Sequence, residues 1–283
     1  MFICLLLIVR DSKKYQKAVK VLFYINFMIK IINYIKDVFR LSFHFAKVEF
    51  KLRNEGSYLG IIWYLLNPIL TFILLYLVFS DRLGLKIEKY SLYLFLGIIM
   101  FNFFQGTTNE ACSSIKNNGN ILKSINFPRE SLVLAIVLRN IFSHFFEIII
   151  FFIIAIFFKI SFISLFYYFL ILLMFSFFVF GFSLILGSLC IYFFDLDNIW
   201  SFATRMLWFA TPIFYSIGGQ VKLFYVNLIN PLYYFITAAR EIVIYQNIPN
   251  IYIIIGIIVS SILFFFIGIL IFSLLKNKFA ELI

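Results

Sequence analysis

The sequence predicts an all-α polytopic membrane protein: an N-terminal amphipathic helix lying in the membrane interface, six transmembrane helices, and re-entrant helices between the fifth and sixth spans. Three observations predict it. Of 283 residues, 64% are hydrophobic, 22% are aromatic and only 13% are charged, about half the charged fraction of a soluble domain. A mean hydropathy of +1.03 leaves too little polar surface to cover such a chain in water, so its solvent is lipid. Six apolar stretches are long enough for a helix to cross a bilayer, which takes ~20 residues.

Those stretches are 59–79, 92–112, 128–158, 165–194, 199–215 and 251–275. Pro128 sits near the first helical position of the third, with Glu130 favourable beside its positive dipole end. Between the fifth and sixth, 217–249 is apolar but broken by Gly218, Gly219, Pro231 and Pro249. Such a segment suits short helices dipping into the membrane edge, where protein or water must satisfy the backbone. Asn230 and Pro231 read there as an N-cap and the first helical residue.

Upstream, residues 36–53 place Lys36, Arg40, His44, Lys47 and Lys51 on one narrow helical face. Val38, Phe39, Leu41, Phe43, Phe45, Ala46, Val48, Phe50 and Leu52 cover the remainder. That is an interfacial helix; a strand would also fit the alternating Phe and Leu until the register slips at Ala46. The stretch GSYLG at 56–60, with Tyr58, Leu59 and Gly60, lets the chain turn from lying flat to crossing. Residues 1–35 form an N-terminal extension whose apolar run is too short to span and precedes its positive residues, unlike a signal peptide. Met28 offers a second start. Residues 36–283 form one transmembrane domain.

Basic residues set the orientation. Eleven precede the first span, Lys116, Lys123 and Arg129 lie between the second and third, and Lys276 and Lys278 follow the last. Both termini are therefore expected in the cytoplasm, although the acidic turn at Asp195 and Asp197 runs mildly against this. The net charge of +11 belongs to these flanks and calls for no nucleic-acid partner.

The enzymatic inventory is sparse. There is no GxxxxGK[ST], HExxH, CxxC or GxSxG, so no P-loop cradles a nucleotide. Cys4, Cys112 and Cys190 lack metal spacing and any obvious pairing, and read as packing residues. His144 and Glu147 alone are too few ligands for a metal. Polar residues within spans carry more information, because each is expensive in lipid and faces protein or a water path. Asn102, Gln105 and Asn109 share a helical face with Glu110 near its end, Arg139, Asn140, Ser143, His144 and Glu147 cluster in the third span, and Arg205 lies in the fifth. Arg139 and Glu147 are too far apart to pair along one helix, so their partners come from other helices. Singly, these residues can be helix glue; as a set, they suggest a polar route. The aromatics Trp63, Trp200, Trp208, Phe214 and Tyr215 fit interfacial belts or surfaces on which sugar rings stack.

Four stretches in this order, YLGIIWYLLNPIL at 58–70, LGIIMFNFFQGTTNEACSSIKNNGNILKSINFPRE at 96–130, ATPIFYS at 210–216 and NPLYYFITAARE at 230–241, together resemble the membrane subunits of bacterial ABC polysaccharide exporters. These export O-antigen, teichoic acid or capsule polymers, and the resemblance covers about residues 36–283. It implies a permease moving a lipid-linked polysaccharide across the plasma (inner) membrane. It implies two copies of this chain on two copies of a separate P-loop ATPase, which alone uses ATP and Mg; this chain has no cofactor and no catalytic residue. The helix at 36–53, with Arg40, Lys47 and Lys51, would flank the path. A coupling segment at 113–126 would dock in the ATPase through Ile115, Lys116, Asn117, Asn118, Asn120, Ile121, Leu122 and Lys123, with Ile115, Ile121 and Leu122 plugging a groove. Path candidates are Trp63, Asn102, Gln105, Asn109, Arg139, Glu147, Arg205, Trp208, Phe214 and Tyr215. Asn230, Pro231, Arg240 and Glu241 would form an outer gate. The departures are the N-terminal extension and the acidic DLD at 195–197, where family members often carry an Arg-Asp pair. An ABC export permease for drugs or lipids remains the alternative, followed by a polytopic glycosyl- or acyltransferase and by an ion-coupled transporter relaying through Arg139 and Glu147.

Overall fold

The computed structural model describes residues 13–54, 62–218 and 220–282. The turn residues Tyr58, Leu59 and Gly60, like Cys4 and Gly219, lie outside them. Neither proline nor glycine interrupts the chain before Gly56, and the first helix, α1, runs unbroken from Lys13 to Asn54. Position 36 is therefore no structural boundary, and 36–53 is the end of a longer helix. The amphipathic pattern that begins at Lys36 marks where α1 starts to pack, not where it starts to coil. Val38, Ser42 and Ala46 are buried at successive turns, while Lys36, Arg40, His44, Lys47 and Lys51 are exposed. Phe39, Phe43, Val48 and Leu52 are exposed too, so the apolar surface splits between protein and lipid.

The later helices follow the apolar runs. They are α2 (Ile62–Leu83), α3 (Tyr90–Asn117), α4 (Gly119–Ser124), α5 (Glu130–Phe157), α6 (Phe162–Tyr192), α7 (Leu196–Ala210), α8 (Val221–Ile229), α9 (Pro231–Val243), α10 (Ile251–Leu275) and a terminal turn, α11 (Phe279–Leu282). No strand occurs among the described residues. Five helices, α2, α3, α5, α6 and α10, are long and apolar enough to cross a membrane. The stretch at 199–215 is the exception: α7 has 15 residues, about 22 Å of helix, and ends before Pro212. Residues 211–217 continue without regular structure, because proline cannot donate to the helical ladder. The start of α5 also differs from expectation. Pro128 stands before the helix, and its carbonyl accepts bonds from Ser131 N at 3.1 Å and Ser131 Oγ at 2.6 Å.

The core is built around α3, where every residue from Leu92 to Phe101 is buried. Phe95, Phe101, Phe104, Phe175, Phe178 and Phe235 fill it. The rings of Phe104 and Phe178 stack at 5.9 Å, and Phe175 meets Phe235 at 4.9 Å. Helices α6 and α10 touch backbone to backbone: a Cβ on Gly268 would lie 2.2 Å from the Gly181 carbonyl oxygen. Small residues allow such approach where lipid gives no hydrophobic drive for association. By contrast, α2 buries only Pro68 among its described residues and exposes Leu70, Ile73, Leu74, Leu77 and Val78.

Candidate functional site

Polar side chains collect at the two ends of the bundle. One end carries the α3–α5 connection, the α6–α7 turn and the C-terminus. Here α3 continues to Asn117, so Ile115 belongs to a spanning helix, and only Gly119–Ser124 forms a separate short helix. Ile115 and Leu122 are buried in a cluster with Ala111, Leu132, Val133, Leu184, Ile191, Phe272 and Phe279. In the chain by itself these two side chains are covered. Sequence shows that these residues are apolar; it does not show that α5 and the C-terminal Phe279 already cover them. Lys116, Asn117, Asn120 and Lys123 are exposed, Asn118 and Ile121 are half-buried, and Ile125 is 61% exposed. Ile125 follows the end of α4 in extended conformation, its N–H donating to the Ile121 carbonyl at 3.0 Å. Lys116 Nζ stands 5.2 Å over the Phe194 ring, tying this segment to the α6–α7 turn.

Behind it lies a charged knot. Arg139 on α5 donates from Nη1 to Glu49 Oε2 of α1 at 2.7 Å and from Nη2 to Glu110 Oε2 of α3. Asn140 Nδ2 donates to the same Glu110 oxygen at 2.8 Å. The partners of Arg139 thus come from other helices, as its distance from Glu147 requires. Burial pushes the Glu49 carboxyl above the usual range; Arg139 pulls it down and Glu110 adds to the rise. One guanidinium serves two carboxylates, so the second is less well compensated. Glu147 stays local: His144 bridges it at 2.8 Å through Nδ1 and Tyr168 at 2.8 Å through Nε2. Lys276 Nζ donates to Glu130 Oε1 at 2.6 Å and Tyr34 OH to Glu130 Oε2 at 2.8 Å. These bonds clamp α1, α5 and the end of α10 together.

On α3, Asn102, Gln105, Gly106 and Asn109 are only half-buried, and a Cβ on Gly106 would meet nothing within 4 Å. The most enclosed helix thus leaves one polar face open. On α7, Arg205 is exposed beside Ile199, Phe202, Met206 and Phe209, all exposed as well.

At the other end, the unwound backbone after α7 is tied down by side chains. Arg240 on α9 is 3% exposed. It donates from Nη1 to the Pro212 carbonyl at 2.6 Å, from Nη2 to Ile213 O at 2.8 Å and Tyr93 O at 3.0 Å, and from Nε to Tyr93 O at 3.2 Å. Its guanidinium lies 3.4 Å from the Tyr93 ring centroid. Lipid supplies no donors, so carbonyls released by a broken helix need protein ones. Tyr90 OH donates to Phe214 O at 2.9 Å, Tyr93 OH to Tyr215 O at 2.8 Å, and Asn227 Nδ2 to Ala210 O at 3.1 Å. Tyr215 OH reaches back to the Phe209 and Ala210 carbonyls at the end of α7. Asn230 caps α9, accepting from Leu232 N at 3.1 Å and donating to Thr211 Oγ1 at 2.8 Å, with Pro231 at the first helical position.

Among the expected path aromatics, Trp63 is exposed. Trp208 packs edge-on against Phe101 at 4.9 Å, and Phe214 stacks on Phe79 at 5.0 Å. Cys112 and Cys190, unpaired by spacing, meet in a small apolar cluster with Leu186.

A family model described as "ABC-2 type transporter" matches residues 42–244 of the 283. The chain is an ABC-2 type transporter. The match spans the charged knot, the α3–α5 connection and the Arg240 clamp, and it identifies a membrane subunit of a transport system. This ABC-2 transporter is also 27% identical over 244 residues to the "O-antigen export system permease protein RfbA" of Klebsiella pneumoniae, covering 83% of this chain and 92% of that protein. A second Klebsiella pneumoniae protein of the same description is 27% identical over 239 residues, with the same coverage. The protein so described from Myxococcus xanthus is 22% identical over 260 residues, covering 90% of this chain and 99% of that one.

Proposed function

We propose that this ABC-2 transporter is the permease of an ATP-driven exporter that moves a lipid-linked cell-surface polysaccharide across the plasma membrane. One observation carries the reading. Relatives described as O-antigen export permeases align with this chain over nearly their whole length.

The architecture we infer has six crossings, with α7 and the extended residues 211–216 together making the fifth, α8 and α9 re-entering from the outer side, and both termini cytoplasmic. The path residues on α3 are Asn102, Gln105 and Asn109, whose half-open face suits a polar conduit. Two copies pack through α2 and α7. In lipid the exposed Arg205 would be costly, whereas a second copy or a water-filled path accommodates it. Two copies of a separate P-loop ATPase dock on the α3–α5 connection, where the exposed Ile125 takes the role sequence gave to Ile115 and Leu122, and Lys116, Asn120 and Lys123 supply the polar rim. ATP binding closes the ATPase pair, the docked segments follow, and the two permease copies part to admit the polymer.

Deleting the chain is expected to strip the polymer from the cell surface while its lipid-linked form accumulates inside, and re-expression is expected to restore export. Surface polymer that persists in the deletion strain would sink the reading.

A further inference from the structure

The end of the bundle that holds the Arg240 clamp also encloses a cavity of about 590 Å³, within the ~300–1,000 Å³ of small-molecule sites. Its lining residues include Tyr93, Tyr233 and Tyr245, Thr237, Asn247 and Glu241. The cavity lies between the unwound residues after α7 and the α9–α10 turn.

We propose that this cavity is a subsite for one or two uncharged sugar units of the exported chain, an inference that rests on the polysaccharide-export reading above. Tyr233 and Tyr245, beside hydroxyl and amide groups, suit a pyranose, which offers an apolar face of C–H bonds and a rim of hydroxyls.

The charges at the wall argue against an anionic sugar. Arg240 lines the cavity, but its guanidinium is committed to the carbonyls of Tyr93, Pro212 and Ile213. Lys89 lies close by and donates to the Ile244 carbonyl at 3.0 Å. Glu241 is the acidic residue among the described lining residues; the Asn250 backbone donates to its carboxylate, and its Oε2 has no hydrogen-bond partner. With the Arg240 donors already engaged, the described wall offers a carboxylate beside a sugar's hydroxyls and no free cationic donor to phosphate or uronate.

The wall is also held in a set shape. Gln246 lies in the left-handed region at φ 57, a conformation non-glycine residues keep only where their surroundings enforce it. Asn247 N donates to the Glu241 carbonyl at 2.9 Å, fixing the turn against α9.

The test uses the full chain in lipid nanodiscs without any ATPase, with mannotriose and chitotriose as neutral probes and trigalacturonic acid as the anionic one. Saturation-transfer NMR is expected to show contact with a neutral trisaccharide, and titration to find trigalacturonic acid at least ~10-fold weaker, the sign expected where the wall holds a carboxylate and no free cationic donor. Tyr245→Ala is expected to weaken neutral binding about two- to tenfold, the range of one aromatic contact. Glu241→Gln is expected to narrow the gap between neutral and anionic probes. No transfer to either neutral probe, equal binding of the anionic one, or unchanged binding in folded Tyr245→Ala protein overturns the proposal. Should that variant fail to fold, the wild-type comparison of neutral and anionic probes still decides. Because binding is read without the ATPase, it fails or holds separately from the export reading, which the deletion strain judges.

Discussion

The two ends of the bundle are fastened by different chemistry. At the α3–α5 end, charged side chains bind charged side chains: Arg139 to Glu49 and Glu110, Lys276 to Glu130. At the other end, side-chain donors bind backbone carbonyls, with Arg240, Tyr90, Tyr93 and Asn227 all serving residues 210–215. The first end has intact helices whose own backbone is satisfied, so its polar side chains are free to pair across helices. The second has a broken helix in a low-dielectric setting, so polar side chains are consumed in repairing the backbone. Rigidity at the first end depends on ion pairs that can regroup as helices shift. At the second it depends on an arginine that, among the described residues, no carboxylate contacts.

The sharpest way to break this contrast is Arg240→Leu. The buried carbonyls of Tyr93, Pro212 and Ile213 lose the guanidinium, with only a long 3.4 Å bond from Tyr93 OH left to Pro212 O, and the expected cost is about 3–5 kcal/mol, read as a fall in thermal unfolding temperature of the purified protein. Arg240→Lys should recover little, since an ammonium lacks the planar fork that reaches Tyr93, Pro212 and Ile213 together. A variant as stable as the parent would show that water or lipid headgroups already serve those carbonyls.

At the opposite end, Leu122 and Ile125 separate folding from docking. Leu122→Ala empties a buried site beside Phe279 and should cost about 2–5 kcal/mol. Ile125→Ala removes an exposed side chain, and its stability should change by no more than about 0.5 kcal/mol. Copurification with the ATPase should nevertheless fall in the Ile125 variant. If it does not, the exposed face of the α3–α5 connection is not the docking surface.

Gly97→Ala tests how tightly the clamp is built. A Cβ there would meet Arg240 Nη2 at 2.4 Å and Ile213 O at 3.1 Å, so the guanidinium must withdraw. An overpacking cost of about 1–3 kcal/mol is expected, and Gly97→Ala should add little to Arg240→Leu, because both remove the same contact.

Much of this fold was legible. The span at 251–275 coincides with α10, and the Asn230–Pro231 cap is where the residue types place it, because both signals are local. The length of α1 was hidden behind a change of amphipathic pattern at Lys36, which reports packing rather than helix formation. The short α7 was obscured by the apolar residues that follow Pro212: composition continues where hydrogen bonding stops. Apolar character made Ile115 and Leu122 look like docking residues, but only the path of α5 and the C-terminus decides which face is already covered. The resemblance pointed to Arg240 as an outer-gate residue, but its acceptors are backbone atoms more than 25 residues away, and backbone atoms leave no mark in a sequence.

A small expected effect sharpens the charged end. Arg139 faces two carboxylates, and burial raises Glu49 above its ordinary range more than Arg139 restores it. Removing the Glu49 charge in Glu49→Gln keeps a hydrogen-bond acceptor for Arg139 and relieves its repulsion with Glu110, so stability should shift by less than about 1 kcal/mol. The sign also predicts a pH trend. A raised carboxyl is bound as the acid more readily in the fold than in the unfolded chain, so its contribution favours folding below its ordinary range and fades as pH rises through the folded value. Thermal unfolding of the parent between pH 4 and pH 7 should therefore show a component that flattens in Glu49→Gln. Glu110→Gln takes away the carboxylate that Arg139 and Asn140 share, and should cost more. If the two glutamines prove equally mild, Arg139 holds the helices by hydrogen bonds alone, and the two ends of the bundle differ less in kind than their partners indicate.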